Sequence, residues 1–390
     1  MKVKLLLIGY LIVIVGLFFY SFTQVDLGLT LTRWSPWQVA QKFFQSIGYF
    51  NRPLSAVLYI AIVFLLFLFY LLFLWLSVKK KIAKKEIWTV IIITSVILGF
   101  SYNAFSYDLF NYIFDAKIVT FYHQNPYLHK ALDYQGDAML SFMHWTHRVY
   151  PYGPVWLGLT APLSFLGLQF FLPTFFLFKF LSVASFLGTA FYISKILKKI
   201  SAENELHGIV FFALNPLVII ESLVSGHNDT AMMFLSIMAL YLIMNMKYFR
   251  SILVLGLSIG VKFATIFLVP IFILLFLSKK IKKEISWRQV SFLLIVLMII
   301  PVFIASLRTN FQPWYLLYVL PFASLLSKKY FILIPSIIIS FFSLLMYVPF
   351  LYSGNWNPPV PTILFWIVLS SIIVSLFITS IYSLAANRVK

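Results

Sequence analysis

Two aspartates open a polar stretch that lies between long apolar runs. Asp108 follows one of these runs and Asp115 comes seven residues later, so on a continuing helix their carboxylates would share one face, about two turns apart. The stretch from Phe100 to Gly153 holds four of the eleven acidic residues and four of the six histidines. Carboxylates at the edge of a membrane cavity can take the proton of an attacking hydroxyl group. The alternatives are a helix cap for Asp108 and a solvated loop position for Asp115.

Further polar and aromatic groups stand beside or within the later apolar runs. They are the NPY at 125–127, the YPYGP at 150–154 with Tyr152, and Lys179, His227, Asn228, Asp229, Lys262, Arg308, Gln312, Trp314 and Tyr315. Gathered in one cavity, such groups suit sugar chemistry: carboxylates for a hydroxyl, aromatic faces for a pyranose and cations for a phosphate leaving group. The alternatives are a capping turn at 227–229, a snorkelling Lys262 and aromatic anchors at the membrane interface.

The chain that must position these groups is a membrane protein by composition. Of its 390 residues, 62% are hydrophobic and 11% are charged, whereas soluble domains are roughly half apolar. Apolar runs of about 17 to 25 residues recur, the length that crosses a bilayer core as a helix. We therefore predict an all-α polytopic membrane protein. The first run has no small-residue cleavage site and is predicted as a span, and the lack of cysteine excludes disulfides and thiolate metal sites.

The net charge of +19 is explained by membrane orientation and needs no nucleic-acid partner. Basic residues cluster in short runs between apolar segments, at 79–85, 195–199, 247–250, 279–283 and 328–329. By the positive-inside rule these turns face the cytoplasm. We predict a multi-pass protein of the plasma membrane, embedded in the lipid bilayer, with both termini cytoplasmic and the polar cavity facing outside.

Counting from these basic turns predicts about twelve transmembrane helices and one partial element. Residues 87–105 and 314–326 are predicted as two of the crossings, and 155–172 as a re-entrant or peripheral helix. The run from 251 to 277 has basic turns at both ends, so it is predicted to break into two half-helices near Gly260 and Lys262. The chain, 1–390, is predicted as one integral membrane domain, with N-terminal spans (1–99), an outer catalytic loop (100–153), a core (154–326) and C-terminal spans (327–390).

Six motifs along residues 100 to 325 resemble, in the same order, those of the GT-C-fold glycosyltransferases that use polyprenyl-phosphate sugars. They are YDLFNYIFDAKIVTFYHQNPY, VYPYGPVWLGL, KFLSVASFLGTAFYISKIL, NPLVIIESLVSGHNDTAMMFL, GLSIGVKFATIFLVP and FQPWYLLYVLP. The chain looks most like the bacterial α-(1→6)-mannopyranosyltransferases that use polyprenyl-phosphate mannose, and like the related family-87-type membrane glycosyltransferases.

The resemblance implies a GT-C-like helical bundle with a large outer loop, and a membrane hexosyltransferase. It implies a polyprenyl-phosphate donor, with mannose as the expected hexose, and a glycan or glycolipid acceptor at the outer face. Asp108, at the start of the first large outer loop, corresponds to the catalytic base of a single inverting displacement. By the same analogy, Lys262 and Arg308 would hold the departing phosphate, while His227 and Asp229 would bind the acceptor or support the base.

A metal site and a transport function are the alternatives at this point. His144 and His147 could ligate a divalent metal with Asp133 or Asp137, although histidines in a long polar loop are more often solvated, and no cofactor is certain. Broken helices and charges at membrane depth also mark a transporter or flippase for a lipid-linked or anionic sugar. Against transport, the sequence has no internal repeat. A non-catalytic scaffold would not need these charges on a common side.

Overall fold

Helices form along this chain because a long apolar segment must bond its own backbone groups when no water is at hand. The computed structural model describes residues 3–280 and 285–388, and these are organised as helices, which confirms the predicted all-α class. The helices up to residue 200 are α1 (Val3–Ser21), α2 (Ser35–Gln45), α3 (Arg52–Val78), α4 (Lys84–Gly99), α5 (Asp108–Thr120), α6 (Pro154–Leu166) and α7 (Phe171–Ile200).

The second half of the chain has shorter and more broken helices. They are α8 (Glu205–Ala213), α9 (Pro216–Ile219), α10 (Asp229–Met244), α11 (Tyr248–Val261), α12 (Val269–Lys280), α13 (Trp287–Thr309), α14 (Leu320–Ala323), α15 (Tyr330–Leu345), α16 (Val348–Ser353) and α17 (Val360–Arg388). A π-helical turn, Ile220–Val224, follows α9, and 3-10 turns at Phe263–Leu268 and Pro313–Tyr318 precede α12 and α14.

Six helical segments in the described residues are long and apolar enough to cross a membrane. They are Val3–Gln24, Arg52–Val78, Phe171–Ile200, Trp287–Thr309, Tyr330–Ser353 and Val360–Ala386. A seventh crossing results if Ala202–Ala213 and Pro216–Val224, which meet at a 55° bend, are one span. The chain is therefore a membrane-embedded protein, but the predicted number of about twelve crossings is not confirmed.

The difference in number arises where predicted spans are short helices in the structure. The helices Asp229–Met244, Tyr248–Val261 and Phe263–Ser278 have 10 to 17 residues, whereas a crossing needs about 20. The predicted span 87–105 ends as a helix at Gly99, and the predicted span 314–326 consists of brief 3-10 and α-helical turns. Sequence hydropathy marks all of these as apolar, but it does not measure the length of helix that they form.

Two predictions about element shape agree with the structure, and two basic segments lie beyond it. The segment 155–172, predicted as a re-entrant or peripheral helix, contains the short 13-residue helix α6, which ends at Leu166, and its placement relative to the membrane stays a prediction. The break predicted near Lys262 is present, because Lys262 is extended (φ −155°, ψ 131°) between α11 and the turn Phe263–Leu268. The side chains of the basic turn predicted at 279–283 and of the tail at 387–390 lie outside the described part of the chain.

The centre of the fold is the segment from His207 to Met233, which is buried without interruption. It includes α8, α9, the π-helical turn and the start of α10, and it packs against α3, α7 and α15. Charged and polar side chains in such a centre are unfavourable unless other groups pair with them. The partners of the polar residues in this segment therefore indicate what the fold is built to hold.

Candidate active site

The carboxylate of Asp108 stands at the start of α5. The Ser106 hydroxyl accepts a hydrogen bond from the Asp108 backbone N–H (3.1 Å) where the irregular segment after α4 gives way to the helix. Asp108 is the first helical residue, and Tyr107 holds the N-cap position without a side-chain cap. One Asp108 oxygen, Oδ2, accepts a bond from the Tyr112 hydroxyl (3.4 Å), and the side chain keeps 17% of its surface exposed. The carboxylate is thus held on one side and accessible on the other.

A tight reversal of the chain brings His227 to this carboxylate. The Asn215 side chain caps α9 at the backbone N–H of Leu217 (2.9 Å), and the helix then widens into the π-helical turn. Gly226 follows with φ at +67°, a left-handed conformation that glycine adopts without a steric penalty. The reversal turns the imidazole of His227 back toward α5.

His227 is fully buried and lies between two carboxylates. Its Nδ1 lies 3.3 Å from Oδ2 of Asp108, and its Nε2 lies 3.2 Å from Oε2 of Glu221. The Tyr347 hydroxyl donates to the other Glu221 oxygen (2.8 Å), and the Trp314 ring stacks on the imidazole at 4.4 Å between centroids. Asp108, His227, Glu221 and Tyr347 form one chain of polar contacts, which we call the His227 cluster.

The protonation of His227 follows from these neighbours. Burial alone would lower the pKa of His227, but the contacts with Asp108 and Glu221 outweigh burial and raise the pKa to about 9. The imidazole is therefore a cation at neutral pH, with an acid on each side. Asp108 is the carboxylate of the cluster that has access to solvent, since Glu221 is completely buried.

A second charged pair lies next to the His227 cluster. The Lys262 ammonium is 2.7 Å from an oxygen of Asp229. Asp229 is the first residue of α10, and its side chain is fully buried. The Lys262 side chain is 25% exposed, and its ammonium lies 5.7 Å from the centroid of the Tyr318 ring. Since an ammonium group has three donors and Asp229 engages one, Lys262 has further donors to offer an anionic group.

The YPYGP turn connects the long loop to the helix break at Lys262. The backbone N–H of Gly153 donates to the Val261 carbonyl (3.2 Å), and a Cβ on Gly153 would lie only 2.1 Å from the Gly260 carbonyl oxygen. Beside this contact, the ring of Tyr152 packs edge-on against Tyr112, 5.1 Å between centroids. Tyr152 therefore lies between the Asp108 side and the Lys262 side of the site.

Buried polar atoms without a hydrogen bond gather around His227. Within the described residues, the atoms of the segment 221–230 without such a partner are the hydroxyls of Ser222, Ser225 and Thr230, both amide atoms of Asn228, one carboxylate oxygen each of Glu221 and Asp229, and both ring nitrogens of His227, which have ion-pair contacts only. A buried polar group left unpaired costs about 1–3 kcal/mol, so a concentration of them is unusual in a purely structural core. The segment 222–230 thus presents polar groups that a polar ligand or ordered water can engage.

Other residues that the sequence singled out lie at the margins of this centre. Asp115 is on the same helix as Asp108, and burial raises its pKa to about 8, so it is largely protonated at neutral pH. Tyr315 bonds to Thr309 (2.7 Å) and packs against Trp314. Arg308 is exposed and Gln312 is half-buried, and neither makes a hydrogen bond or ion pair with the His227 cluster in the described chain.

The histidines of the long loop are engaged separately. His144 packs on Tyr107, 3.8 Å between ring centroids, and Asp133 lies 3.7 Å from His129. Asp137 bonds to Lys117 and to the Tyr122 hydroxyl. Within the part of the chain that the structure describes, no three His, Asp or Glu side chains gather in a way that could hold a metal ion. The structure therefore adds no support to the alternative of a metal at His144 and His147.

Lys117 and Asp137 line a cavity of about 350 Å³ near the face of α5 opposite to the one that carries Asp108. The Asp137 side chain is 2% exposed, and both of its oxygens accept hydrogen bonds: Oδ2 from Lys117 and Tyr122, and Oδ1 from the Met139 backbone N–H. Burial raises the pKa of Asp137, but the hydrogen bonds, foremost that of Lys117, lower it overall. We call these three side chains the Asp137 cluster.

Three polar residues in the interior were not assigned a specific role from the sequence. Glu221 lies in an apolar run. An ionisable residue at such a position is by default a functional candidate, so the sequence did contain a signal for Glu221. Tyr347 lies in a run predicted as a plain span, and no local signal marks it. Lys179 was expected at the polar cavity; it is fully buried and donates to the carbonyls of Leu223 and Val224 (2.8 Å to Val224), so it holds the turn that carries His227.

The sequence matches one family model over most of its length. The model describes an alpha-(1->6)-mannopyranosyltransferase N-terminal domain, and it matches residues 8–278, which include Asp108, Glu221, His227 and Lys262. Trp314 and Tyr347 come from outside that range. No curated protein and no solved structure matches the chain. Since the matched residues make up well over half of the sequence, the chain belongs to the alpha-(1->6)-mannopyranosyltransferase family, whose members are glycosyltransferases.

Proposed function

We propose that the protein transfers a hexose, expected to be mannose, from a polyprenyl-phosphate donor to a hydroxyl group of a glycan or glycolipid acceptor, with inversion at the anomeric carbon. The observation that carries the proposal is the accessible Asp108 carboxylate backed by a fully buried histidine and a fully buried glutamate. Family membership supports the sugar-transfer class, and the resemblance of the six motifs supports the lipid-linked donor.

In the proposed reaction, Asp108 takes the proton of the acceptor hydroxyl as its oxygen attacks C1 of the donor sugar. The new oxygen–carbon bond forms while the bond from C1 to the phosphate oxygen breaks, and polyprenyl phosphate leaves with the electron pair of that bond. Lys262 stabilises the negative charge that develops on the phosphate. Its pairing with one Asp229 oxygen leaves donors for this purpose.

The remaining predicted residues have places in the same scheme. Tyr152, between the Asp108 and Lys262 sides, is proposed to contact the transferred sugar, with Asn228 bonding to its hydroxyls. Trp314 has one ring face on His227, so only the other face is available to a sugar. Arg308, Gln312 and Tyr315 are proposed to contact the lipid phosphate or the acceptor from the end of α13. Asp115, largely protonated, is proposed as a hydrogen-bond donor to a substrate oxygen.

The site is proposed to open to the outer face of the plasma membrane. Support comes from the basic turns at 79–85 and 195–199, which the positive-inside rule assigns to the cytoplasm. A lipid-linked donor would enter sideways from the bilayer, which explains why the reaction would need a membrane-embedded enzyme.

The direct test uses purified protein in lipid nanodiscs, radiolabelled polyprenyl-phosphate mannose or glucose, and an oligomannoside acceptor. We expect label in the acceptor with wild-type protein and almost none with Asp108→Asn. The same protein in sealed liposomes tests the transport alternative, because movement of the labelled lipid across the bilayer without transfer would replace the enzyme proposal by a flippase.

A further inference from the structure

We propose that Glu221, held by Tyr347, is a positioning residue for the reaction: it holds the imidazole of His227 in the place from which His227 orients the Asp108 carboxylate. The inference rests on the proposed function, since it assigns how the catalytic base is supported. It extends the site beyond the carboxylate itself, into the centre of the fold and into helices that lie outside the family match.

The geometry of Glu221 is that of a supporting group and not of a substrate ligand. Its side chain has no exposed surface, and its two oxygens face Tyr347 (2.8 Å) and His227 (3.2 Å). A substrate in contact with Asp108 is separated from Glu221 by the width of the imidazole ring. Glu221 can therefore influence the reaction only through His227.

The charge balance explains why an acid is present at this depth. A carboxylate moved from water into an apolar interior is strongly disfavoured unless a cation and hydrogen bonds compensate. His227 supplies the cation, and the Tyr347 hydroxyl supplies a hydrogen bond to the oxygen that His227 does not face. Conversely, a completely buried imidazole with Asp108 alone would be less able to keep its proton. The two buried groups are therefore stable as charged species only together.

The other charged groups around His227 do not replace Glu221. Asp108 faces the imidazole from α5, while Asp229 at the start of α10 is occupied by Lys262. Lys179 from α7 is bonded to backbone carbonyls of the π-helical turn. The face of the ring is covered by Trp314. Among the described residues, Glu221 is thus the carboxylate in contact with Nε2 of His227.

This arrangement has a consequence for the base. Nδ1 of His227 lies 3.3 Å from Oδ2 of Asp108, an ion-pair contact that holds this oxygen and leaves the other one to meet the acceptor hydroxyl. Without the Glu221 carboxylate on its far side, the imidazole would lose the contact that holds it against Asp108. Loss of Glu221 should accordingly reduce kcat and leave the KM for the lipid donor nearly unchanged.

The substitutions Glu221→Gln and Tyr347→Phe separate charge from shape. Glutamine keeps an acceptor for Tyr347 and a polar group for His227, so it removes the charge without creating a cavity. We expect Glu221→Gln to lower kcat by about 10- to 100-fold, with donor KM within about twofold, and Tyr347→Phe to lower kcat by roughly threefold to tenfold. The matched control is Tyr70→Phe, which deletes a buried phenol hydroxyl bonded to the Phe211 carbonyl (2.9 Å), and full activity is expected.

A readout that needs no substrate completes the test. Protein labelled with 15N-histidine reports the titration of His227 by NMR, assigned by the signal that disappears in His227→Gln. We expect the Glu221→Gln titration to lie more than about one pH unit below that of wild type, and the alkaline limb of the kcat profile to move in the same direction. Tyr70→Phe should leave both unchanged.

The outcomes distinguish this inference from the proposed function. An unchanged His227 titration in Glu221→Gln, or a kcat within twofold of wild type, would overturn the positioning role even if wild-type protein transfers sugar. Absence of sugar transfer by wild-type protein would overturn the proposed function, and with it the catalytic meaning of the cluster, whatever the titration shows. A matching loss of activity in Tyr70→Phe would also contradict the inference, because it would reveal a general sensitivity of the buried helices.

Discussion

Helix α5 carries one cluster of charged groups on each of two opposite faces, and the two clusters are built differently. Asp108 and Lys117 are nine residues apart, which places them half a turn out of phase, so they face opposite sides of the helix. In the Asp137 cluster both carboxylate oxygens have donors, and the cation has its anion. In the His227 cluster a cation lies between two acids, beside several buried polar atoms without hydrogen bonds.

The difference teaches how to tell a structural ion pair from a reactive one on the same helix. A saturated pair has no bonding capacity left for a substrate, so it contributes to stability and to the shape of the loop. A carboxylate that is exposed on one side and held on the other by buried groups can still accept a hydrogen bond or a proton from a substrate. Substitutions in the first cluster should change stability, and substitutions in the second should change turnover.

The largest expected effect is that of Asp108→Asn. The substitution removes the proposed base but keeps the size of the side chain, so turnover should fall by about 10² to 10⁴-fold, the usual contribution of a general base. The thermal unfolding midpoint in detergent should stay within a few degrees of wild type. Transfer at the wild-type rate would contradict the assignment of Asp108 and would remove the contrast between the two clusters.

A somewhat smaller loss is expected for Lys262→Gln. Removing a cation that stabilises developing charge on the phosphate should lower kcat by about 10²-fold. Asp229→Asn leaves the ammonium group in place and serves as the comparison, and it should retain more activity than Lys262→Gln. Equal losses in steady-state kinetics of the two variants would indicate that the pair is structural, like the Asp137 cluster.

Unlike the two variants above, Asp137→Asn is expected to lower stability and leave turnover unchanged. Loss of charged hydrogen bonds from Lys117 and Tyr122 should lower the free energy of unfolding by about 1–3 kcal/mol. The transfer rate per folded molecule should stay at the wild-type level. Unfolding in detergent monitored by intrinsic fluorescence, with activity measured on the same preparations, tests both statements, and a large loss of kcat without loss of stability would refute the structural role.

The same variant gives a pH test with a defined sign. Although burial raises it, the pKa of Asp137 is lowered overall by its hydrogen bonds, below the ordinary value of 3.8. A group with a depressed pKa in the folded state contributes stability that is fully present above its unfolded pKa and is lost as the pH falls through the folded one. The stability difference between wild type and Asp137→Asn should therefore be constant from about pH 5 to 7 and shrink below about pH 4.

The smallest effect is expected for Arg308→Gln. The guanidinium is exposed and contacts neither cluster, so its contribution to holding a lipid phosphate is that of a surface charge, worth up to about 1 kcal/mol. The KM for the donor should rise by about two- to fivefold, and added salt should reduce the difference. A hundredfold loss in kcat would show that Arg308 moves into the site when substrate binds.

The sequence predicted polar residues beside apolar runs or at a break within one, and it gave no role to Glu221 and Tyr347, which lie inside such runs. Asp108, His227 and Asp229 stand next to long apolar segments and Lys262 stands at the break inside one, and the structure pairs Asp108 with His227 and Asp229 with Lys262. Tyr347 contacts Glu221 across 126 positions of sequence, and only the packing of α15 on α9 and of α16 on α3 brings the two together. No pattern within a single segment contains that information.

The same limitation applies to the prediction of the fold. Helical class and membrane embedding follow from composition and from run length, and both are confirmed. The number of crossings does not follow, because residues such as Gly99 end a helix inside a run that hydropathy treats as continuous. The break at Lys262 was predictable because charge at both ends of a long run required it.

The contact between Gly153 and Gly260 has a mechanical consequence. Because two backbones meet there with no room for a methyl group, the end of the long loop and the break in the helix are pinned to each other. A motion that carries Tyr152 toward a substrate must carry Lys262 with it. Tyr152, proposed to contact the sugar, and Lys262, proposed to contact its phosphate, are therefore expected to move together.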